Sequence, residues 1–301
     1  SKALYLDFKA EHPEAALALQ EKGLMMAYQT EGVEKEEIEF AHLARKYGLE
    51  AEILTPEDIR KVEPNLELKA RGAVLFPGDA HLDPGALYGF LKKYLEEKGV
   101  QFLSKTQVLG FEKSGSKIEA VLTDQGKIEA EKIVLCGGSW SGELAKQLGF
   151  TLPMMGGKGY SFIQKNQPEI KQATILTEQK VAVSPYGETV RFGGTLEIAG
   201  TNQKVDMRRV QGIFESINRY YPSFEAKFPE ENQIWKGLRP CSPDGLPYIG
   251  FAPTYSNVLV GSGHSMMGIS LAPATGKLLA ELHQQKDTTM EIAGFEVGRF
   301  A

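Results

Sequence analysis

The sequence has little of what marks a secreted, metal-binding or nucleic-acid-binding protein. Its two cysteines, Cys136 and Cys241, are too few for a disulfide framework and indicate a reducing compartment. No CxxC or HExxH motif is present and the five histidines show no ligand spacing, so we predict no metal site. The net charge of −5 lacks the basic excess of nucleic-acid-binding proteins, so we expect no nucleic-acid partner.

Long apolar runs are also missing. No stretch approaches the ~18 apolar residues that a membrane-spanning helix needs, and no signal peptide opens the chain. We therefore expect a cytoplasmic protein and leave peripheral association with a membrane surface open. Residues 1–9 do not resemble a natural beginning, so we interpret the chain as part of a longer protein.

The chain does have the composition of a folded protein. Its 301 residues, 42% of them hydrophobic, are enough for two domains with apolar cores. Apolar residues at helical spacing, ended by glycine or proline, predict helices over 34–47, 81–99, 206–221 and 267–285. Pro273 lies inside the last of these and predicts a kink.

Short β-branched and aromatic runs between glycines predict strands. They cover 23–31, 72–80, 158–164, 181–185 and 190–200. Residues 106–136 predict an antiparallel meander whose last strand, 127–136, leads through two glycines into a helix. Because strands and helices alternate without a regular βαβ rhythm, we predict an α/β (α+β) fold with a separate antiparallel sheet flanked by helices.

Residues 257–282 resemble the strand, glycine loop and helix that bind nucleotide phosphates. Gly261, Gly263 and Gly268 are, however, spaced two positions too widely for G-x-G-x-x-G, and Gly137-Gly138 lacks a third glycine. Free N–H groups at such a helix start still favour a negatively charged ligand. The alternative is a tight turn into a packed helix. Taken alone, residues 257–282 favour this alternative.

Several segments together carry a family resemblance, strongest over 237–279 and extending from about Gly23 to Leu282. The chain resembles the FAD-dependent amine oxidoreductases of the D-amino-acid oxidase type, nearest to bacterial D-amino-acid dehydrogenases and glycine oxidase. The segments, in order, are GDAHLDPGALYGFL (78–91), EKIVLCGGSWSGELAKQLG (131–149), LPMMGGKGYSF (152–162), VRFGGTLEIAG (190–200), GLRPCSPDGLPYIG (237–250) and GSGHSMMGISLAPATGKLL (261–279).

The resemblance implies two domains, one of them truncated. The family begins with a βαβ unit whose G-x-G-x-x-G binds the ADP half of FAD, and that unit is absent here. Residues 1–82 and 152–235 would form the substrate domain. Residues 83–151 and 236–301 would form the remainder of the FAD-binding domain.

The resemblance also assigns catalytic residues. Arg239, in GLRP, matches the arginine that pairs with the substrate carboxylate; the alternative is a structural ion pair. Lys158 and Tyr160, in GGKGYS, match a strand that crosses above the flavin, where a lysine could bind substrate and a tyrosine could close the pocket. An ordinary aromatic residue on a half-buried strand is an equal alternative for Tyr160.

The positions implied to line FAD fall in three places. His264 could equally make its hydrogen bonds inside the core, and for Met266 and Met267 core packing is the preferred interpretation. The implied cofactor residues are Val108 on a strand, Gly137, Gly138 and Trp140 in one turn, and Gly261, Gly263, His264, Gly268 and Ile269 in the other.

The activity implied is oxidative deamination of a small amino acid, a D-amino acid or an N-substituted glycine, by hydride transfer from Cα to flavin N5. Ala182 stands where glycine oxidase has a tyrosine, which favours the dehydrogenase branch. The alternatives are a flavin-free inactive fragment, or one subunit of a heteromeric amine dehydrogenase whose partner chain supplies the nucleotide-binding unit. The amine, the electron acceptor and the oligomeric state stay open.

Overall fold

The computed structural model describes residues 1–15, 17–198 and 200–300. The helices are α1 Lys2–Glu11, α2 Glu31–Lys46, α3 Pro56–Val62, α4 Pro84–Glu97, α5 Ser141–Leu148, α6 Met207–Tyr220 and α7 Gly268–His283. The strands are β1 Leu24–Tyr28, β2 Glu52–Leu54, β3 Gly72–Phe76, β4 Val108–Ser114, β5 Lys117–Thr123, β6 Gly126–Glu129, β7 Ile133–Leu135, β8 Met155–Lys165, β9 Thr174–Leu176, β10 Val181–Tyr186, β11 Thr189–Ile198, β12 Trp235–Cys241, β13 Tyr248–Phe251 and β14 Val258–Ser262.

The largest sheet has eight strands in the order β12-β8-β11-β10-β9-β1-β3-β2. All neighbours are antiparallel except β1 and β9. One side, here called the core face, packs against α6, whose apolar residues recur every three or four positions as an amphipathic helix requires. Buried residues of this core include Tyr160, Phe162, Phe192, Val210, Ile213 and Ile217.

The other side of this sheet divides into two parts. At the β1, β3 and β2 end it is covered by α2, with Ala41 and Ala44 packed near Val74. Over β12, β8, β11 and β10 the same side presents glycines and polar side chains and is here called the polar face. Its members, taken from the strand registers, include Gly157, Gly159, Ser161, Arg191, Gly193, Trp235 and Arg239.

Two smaller sheets complete the described fold. In the first, β14 pairs in parallel with β7 and antiparallel with β13. In the second, β4, β5 and β6 form an antiparallel meander. The first sheet packs with α5 in a second core that includes Leu135, Ala145, Leu148, Val258 and Val260. None of the helices described is both long and apolar enough to cross a membrane.

The predicted α/β fold class is confirmed, with mixed and antiparallel sheets. The four helices predicted with bounds correspond to α2, α4, α6 and α7, and the helix predicted after the two glycines is α5. Helix α7 continues through Pro273. The prediction of one strand over 127–136 is wrong, because β6 and β7 lie in different sheets. The strand predicted over 190–200 is observed to Ile198, and Ala199 lies outside the described residues. The domain division stays a prediction; β12 pairs with β8 across its boundary at 235 and 236.

Candidate active site

Two glycine loops, residues 137–140 and 261–268, lie at the same edge of a sheet. They follow β7 and β14, which run side by side in parallel with Leu135 opposite Val260. The Ser141 hydroxyl donates to Ser262 Oγ at 3.0 Å, and the Ser262 hydroxyl donates to the Gly138 carbonyl oxygen at 3.2 Å. Both loops are therefore held together at the carboxyl ends of parallel strands, where α/β folds commonly bind ligands.

Two of the glycines are required by the backbone itself. Gly263 has φ of +83°, and a Cβ there would lie 2.8 Å from Cδ2 of Tyr248. Gly138 has φ of +55°, with open space where a Cβ would point. Turn geometry thus explains Gly263, whereas the open space at Gly138 also leaves room for a ligand to approach the backbone.

Each glycine loop continues into a helix. Gly138–Trp140 forms a 3₁₀ turn before α5, and Ser265–Met267 forms one before α7. Helix starts carry backbone N–H groups without intrahelical partners and the positive end of the helix dipole. Negative charge is therefore stabilised beside both loops.

Exposed apolar side chains surround these helix starts. Met266 is 70% exposed and Met267 53%, so the prediction that they pack in the core is wrong. Trp140 and Ile269 are also exposed. Apolar side chains around bare backbone N–H groups form the type of site that suits a planar, partly anionic ring such as a flavin. The residues at the loops therefore fit the FAD that the sequence implies.

His264 makes its hydrogen bond inside the protein. Its Nε2 lies 2.9 Å from Thr275 Oγ1 on α7, and burial lowers the pKa of the imidazole. Of the two alternatives for this side chain, the internal hydrogen bond is the one observed. The backbone of His264 pairs with Cys241 at the end of β12, which joins the second glycine loop to the large sheet.

Arg239 lies on the polar face beside that junction. It pairs with Gly157, and its guanidinium lies over Gly159, where a Cβ would be 2.3 Å from Nη1. Nη1 donates to the carbonyl oxygen of Thr195 at 2.8 Å. A bulge in β11 gives Thr195 a φ of +71° at that point. Glycine and bulge together hold the arginine flat against the sheet.

The charge of Arg239 is not balanced by an acidic side chain in the part of the chain that the structure describes. No ion pair in residues 1–15, 17–198 and 200–300 includes it, so its alternative role as a structural ion pair finds no support there. Burial lowers the pKa of the guanidinium, which nevertheless stays protonated because arginine starts so high. Arg239 is thus placed to bind a carboxylate with its remaining N–H groups.

Arg191 is a polar-face residue that the sequence analysis missed. Its Nε donates to Ser161 Oγ at 3.0 Å, and its guanidinium lies 5.1 Å from the ring centroid of Trp235. Burial is the main cause that lowers the pKa of Arg239, and the positive charge of Arg191 lowers it further. The signal was present in VRFGG, since Val190 and Phe192 alternate inward and direct Arg191 to the opposite face.

Lys158 and Tyr160 are not brought together with Arg239. They alternate with Gly157, Gly159 and Ser161 along β8 and therefore lie on the core face. Lys158 is 1% exposed, and its Nζ donates to the Lys204 carbonyl oxygen at 2.7 Å.

Both side chains serve a buried hydrogen-bond network instead. The Tyr160 hydroxyl donates to Glu197 Oε2 at 2.5 Å, and Lys158 Nζ lies 3.3 Å from Glu197 Oε1. Lys158 and Tyr160 therefore lie on the opposite face of the sheet from Arg239, contrary to the expectation that all three serve one catalytic site. The physical reason is the two-residue period of the strand, which turns both side chains away from the polar face.

The remaining predicted cofactor positions fall in two groups. The glycine loops gather the predicted residues of both turns at one edge of the β13-β14-β7 sheet. Val108 begins β4 in the other small sheet, opposite Thr123. Its contact with adenine therefore stays a prediction.

The site thus combines two glycine loops at the ends of parallel strands with an arginine that has no acidic partner among the described residues, an arrangement that suits a cofactor-dependent enzyme. Residues 1–282 match the model of the family described as DAO, FAD dependent oxidoreductase, and the chain belongs to this family. The resemblance identified from the sequence is confirmed.

Known relatives and structures agree with this membership. The chain is 32% identical over 267 residues to a D-amino acid dehydrogenase of Helicobacter pylori, covering 88% of this chain but only 63% of that protein. It is 30% identical to a D-amino acid dehydrogenase of Granulibacter bethesdensis, covering 94% of this chain and 68% of the relative. Glycine oxidase from Geobacillus kaustophilus superposes with a TM-score of 0.91 at 26% identity, covering 99% of this chain and 81% of the oxidase.

Proposed function

We propose that the chain forms the substrate-binding and catalytic part of an FAD-dependent amino-acid dehydrogenase. The reaction is oxidative deamination: a hydride leaves Cα of the neutral amine, and water converts the resulting protonated imine to an oxo acid and ammonium. The observation that carries the proposal is Arg239, partly buried and without an acidic partner in the described chain, beside the two glycine loops. When bound, FAD supplies the acceptor for the hydride that leaves Cα.

Arg239 binds the substrate carboxylate in this proposal. Its planar guanidinium matches a carboxylate in two parallel hydrogen bonds, which fixes both position and rotation of the substrate. Thr195 and Gly159 keep the side chain in one conformation, so little freedom is lost on binding. No side-chain acid or base is assigned, because an amine that arrives neutral needs none.

The glycine loops provide the electrostatic part of catalysis. The starts of α5 and α7 favour negative charge at the loops, where it would develop as electrons are accepted. Trp140, Met266 and Ile269 present apolar surface that would exclude water from a bound cofactor.

The choice of a D-amino acid rests on the relatives, which are D-amino acid dehydrogenases at 32% and 30% identity. Ala182, which stands where glycine oxidase has a tyrosine, lies on the polar face opposite Gly193. A small residue there leaves more room for a substrate side chain than glycine itself needs, which supports the dehydrogenase branch.

The experiment is the visible spectrum of the purified chain with added FAD, recorded without oxygen before and after D-alanine or L-alanine. Flavin bands that D-alanine bleaches and L-alanine does not support the proposal. Bound flavin that no amino acid bleaches contradicts it. Failure to bind any FAD supports the alternative of an inactive fragment or a chain that needs a partner.

Arg239→Gln tests the carboxylate site in the same assay. We expect the rate of bleaching at low D-alanine to fall about 10²–10⁴-fold with flavin content unchanged, because a bidentate charged contact is lost. Arg208→Gln is the matched control, since Arg208 lies on α6 with its side chain 92% exposed. An Arg239→Gln protein with unaltered kcat/KM would contradict the assignment.

A further inference from the structure

The polar face holds a second cation next to Arg239. Arg239 lies over Gly159, and Arg191 is hydrogen-bonded to Ser161, two residues further along the same strand. Two residues of β-strand span roughly 6.6 Å, so the two guanidinium groups are close neighbours. Both side chains lean toward the same part of β8 from opposite directions, since they pair with Gly157 and Ile163 respectively.

Neither guanidinium is neutralised by an acidic side chain of the described residues. In the part of the chain that the structure describes, no ion pair includes Arg191 or Arg239. Asp83, whose charge helps to raise the pKa of the neighbouring Tyr186, accepts the backbone N–H of Gly85 with its Oδ1 in capping α4. Two like charges held together at partly buried positions repel each other, so binding of anionic groups there is favoured.

The two arginines differ in their distance from the glycine loops. Cys241, two residues after Arg239, pairs with His264, so Arg239 is on the side of the second loop. Arg191 contacts Ser161, which lies in the opposite direction along β8. A substrate whose α-carboxylate binds Arg239 therefore has the Arg191 guanidinium within reach of a second anionic group on the same molecule.

The surroundings of Arg191 keep its donors available. Trp235 lies under the guanidinium as an aromatic support, and Ser161 accepts from Nε. The charge of Arg191 also lowers the pKa of the neighbouring Tyr186 hydroxyl, although burial raises it more. Ser161, Trp235 and Tyr186 are thus uncharged neighbours of the guanidinium, and no carboxylate of the described residues forms an ion pair with it.

We infer that Arg191 is a specificity-determining residue that binds a second carboxylate, carried by the substrate side chain. The site then takes acidic amino acids in preference to their amides. This inference rests on the proposed function and adds the substrate class to it. One carboxylate shared by both arginines is the competing arrangement, and the test separates the two.

The first test compares kcat/KM for D-glutamate and D-glutamine, which have nearly the same shape but a charged and an uncharged side chain, using the FAD-loaded protein. Arg191→Gln is expected to lower the acid-to-amide ratio about tenfold to a hundredfold, the effect of losing a charged hydrogen bond, with D-glutamine unchanged within about threefold. Arg191→Lys should restore part of the ratio, and Arg208→Gln should leave it unchanged. Equal loss on both substrates, or no loss on either, overturns the inference.

A second test needs no turnover and so separates this inference from the proposed reaction. Calorimetry measures binding of glutarate and of butyrate, which have two carboxylates and one. We expect glutarate to bind about tenfold or more tightly, and this advantage to vanish in Arg191→Gln. Tight glutarate binding by a protein that oxidises no amine would contradict the proposed function alone. Equal affinity for both acids in the unmodified protein overturns the role of Arg191.

Discussion

At the scale of single residues, the face of a strand decides which side chains do chemistry. The resemblance assigns Lys158, Tyr160 and Arg239 to catalysis, yet only Arg239 lies on the polar face. The Lys158 side chain is buried, and its Nζ donates to a backbone carbonyl oxygen. Residue type alone could not separate these cases, because the assignment depends on which strand face the substrate occupies.

Arg191 shows the reverse situation. The alternation of Val190 and Phe192 with Arg191 predicts that Arg191 lies on the opposite face of the strand from the two apolar residues. Nothing in the neighbouring sequence indicates that this face carries a second arginine. Its relation to Arg239 passes through β8, which lies between β11 and β12 in the sheet. That order brings together residues 48 positions apart (239 − 191) and follows from pairing that no short motif encodes.

Gly159 provides a prediction at this scale. A Cβ at residue 159 would lie 2.3 to 2.7 Å from the guanidinium atoms of Arg239, the movable end of a long side chain. Gly159→Ala should therefore displace Arg239 while costing little stability. We expect the KM for D-alanine to rise about tenfold or more through loss of the aligned charged contact, with the melting temperature nearly unchanged. Gly212→Ala on α6, where the added methyl meets no neighbour, is the control; an unaltered KM in Gly159→Ala would contradict this account.

At the scale of elements, the sequence pattern predicts the helices better than the pairing of the strands, because helices are stabilised by interactions between residues close in sequence. Helices α2, α4, α6 and α7 were predicted from their periodicity, whereas α3 was missed although its Thr55 and Asp58 form a capping box before an apolar turn. The meander over 106–136 was predicted as continuous, but β7 pairs with β14, more than a hundred residues later in the chain. Strands of three residues, such as β7 and β9, carry too short a pattern to reveal their partners.

The Glu197 network joins elements and gives a pH-dependent prediction. Glu197 on β11 accepts from Tyr160 on β8, and Tyr160 in turn accepts from the backbone N–H of Asp206, the cap of α6. The hydrogen bond from Tyr160 lowers the pKa of Glu197 below its ordinary 4.5. A depressed carboxyl pKa adds stability that is present above the unfolded pKa and lost as the pH falls through the folded one.

We therefore expect the free energy of unfolding to decline as the pH is lowered from about 5 to 3. Glu197→Gln should be less stable than the unmodified protein at pH 7 and should lose less stability over that interval. Urea unfolding at several pH values measures both. Glu215→Gln, an exposed position on α6, is the matched control, and parallel pH profiles for Glu197→Gln and the unmodified protein would contradict the role of this carboxyl group.

At the scale of the whole molecule, two separate hydrophobic cores support different parts of the candidate site. The core under the eight-stranded sheet supports the arginines, and the core around β7, β14 and α5 supports the glycine loops. The two are joined where β12 reaches the second loop at Cys241 and His264. The proposed substrate and cofactor sites thus lie on different cores and meet at one junction, an arrangement that would let the substrate face vary while the glycine loops stay the same.

This division predicts where a bound cofactor should stabilise the chain. Because a ligand stabilises the structure that holds it, FAD should slow amide hydrogen exchange in 133–141 and 258–268 and leave 160–163 and 190–193 nearly unchanged. At a FAD concentration about 100 times its Kd, the protected segments should gain about 2.7 kcal/mol. Exchange followed by mass spectrometry, with and without FAD, measures this. AMP is the control, since it lacks the flavin ring that the loops are proposed to hold. Protection confined to the large sheet would place the cofactor elsewhere.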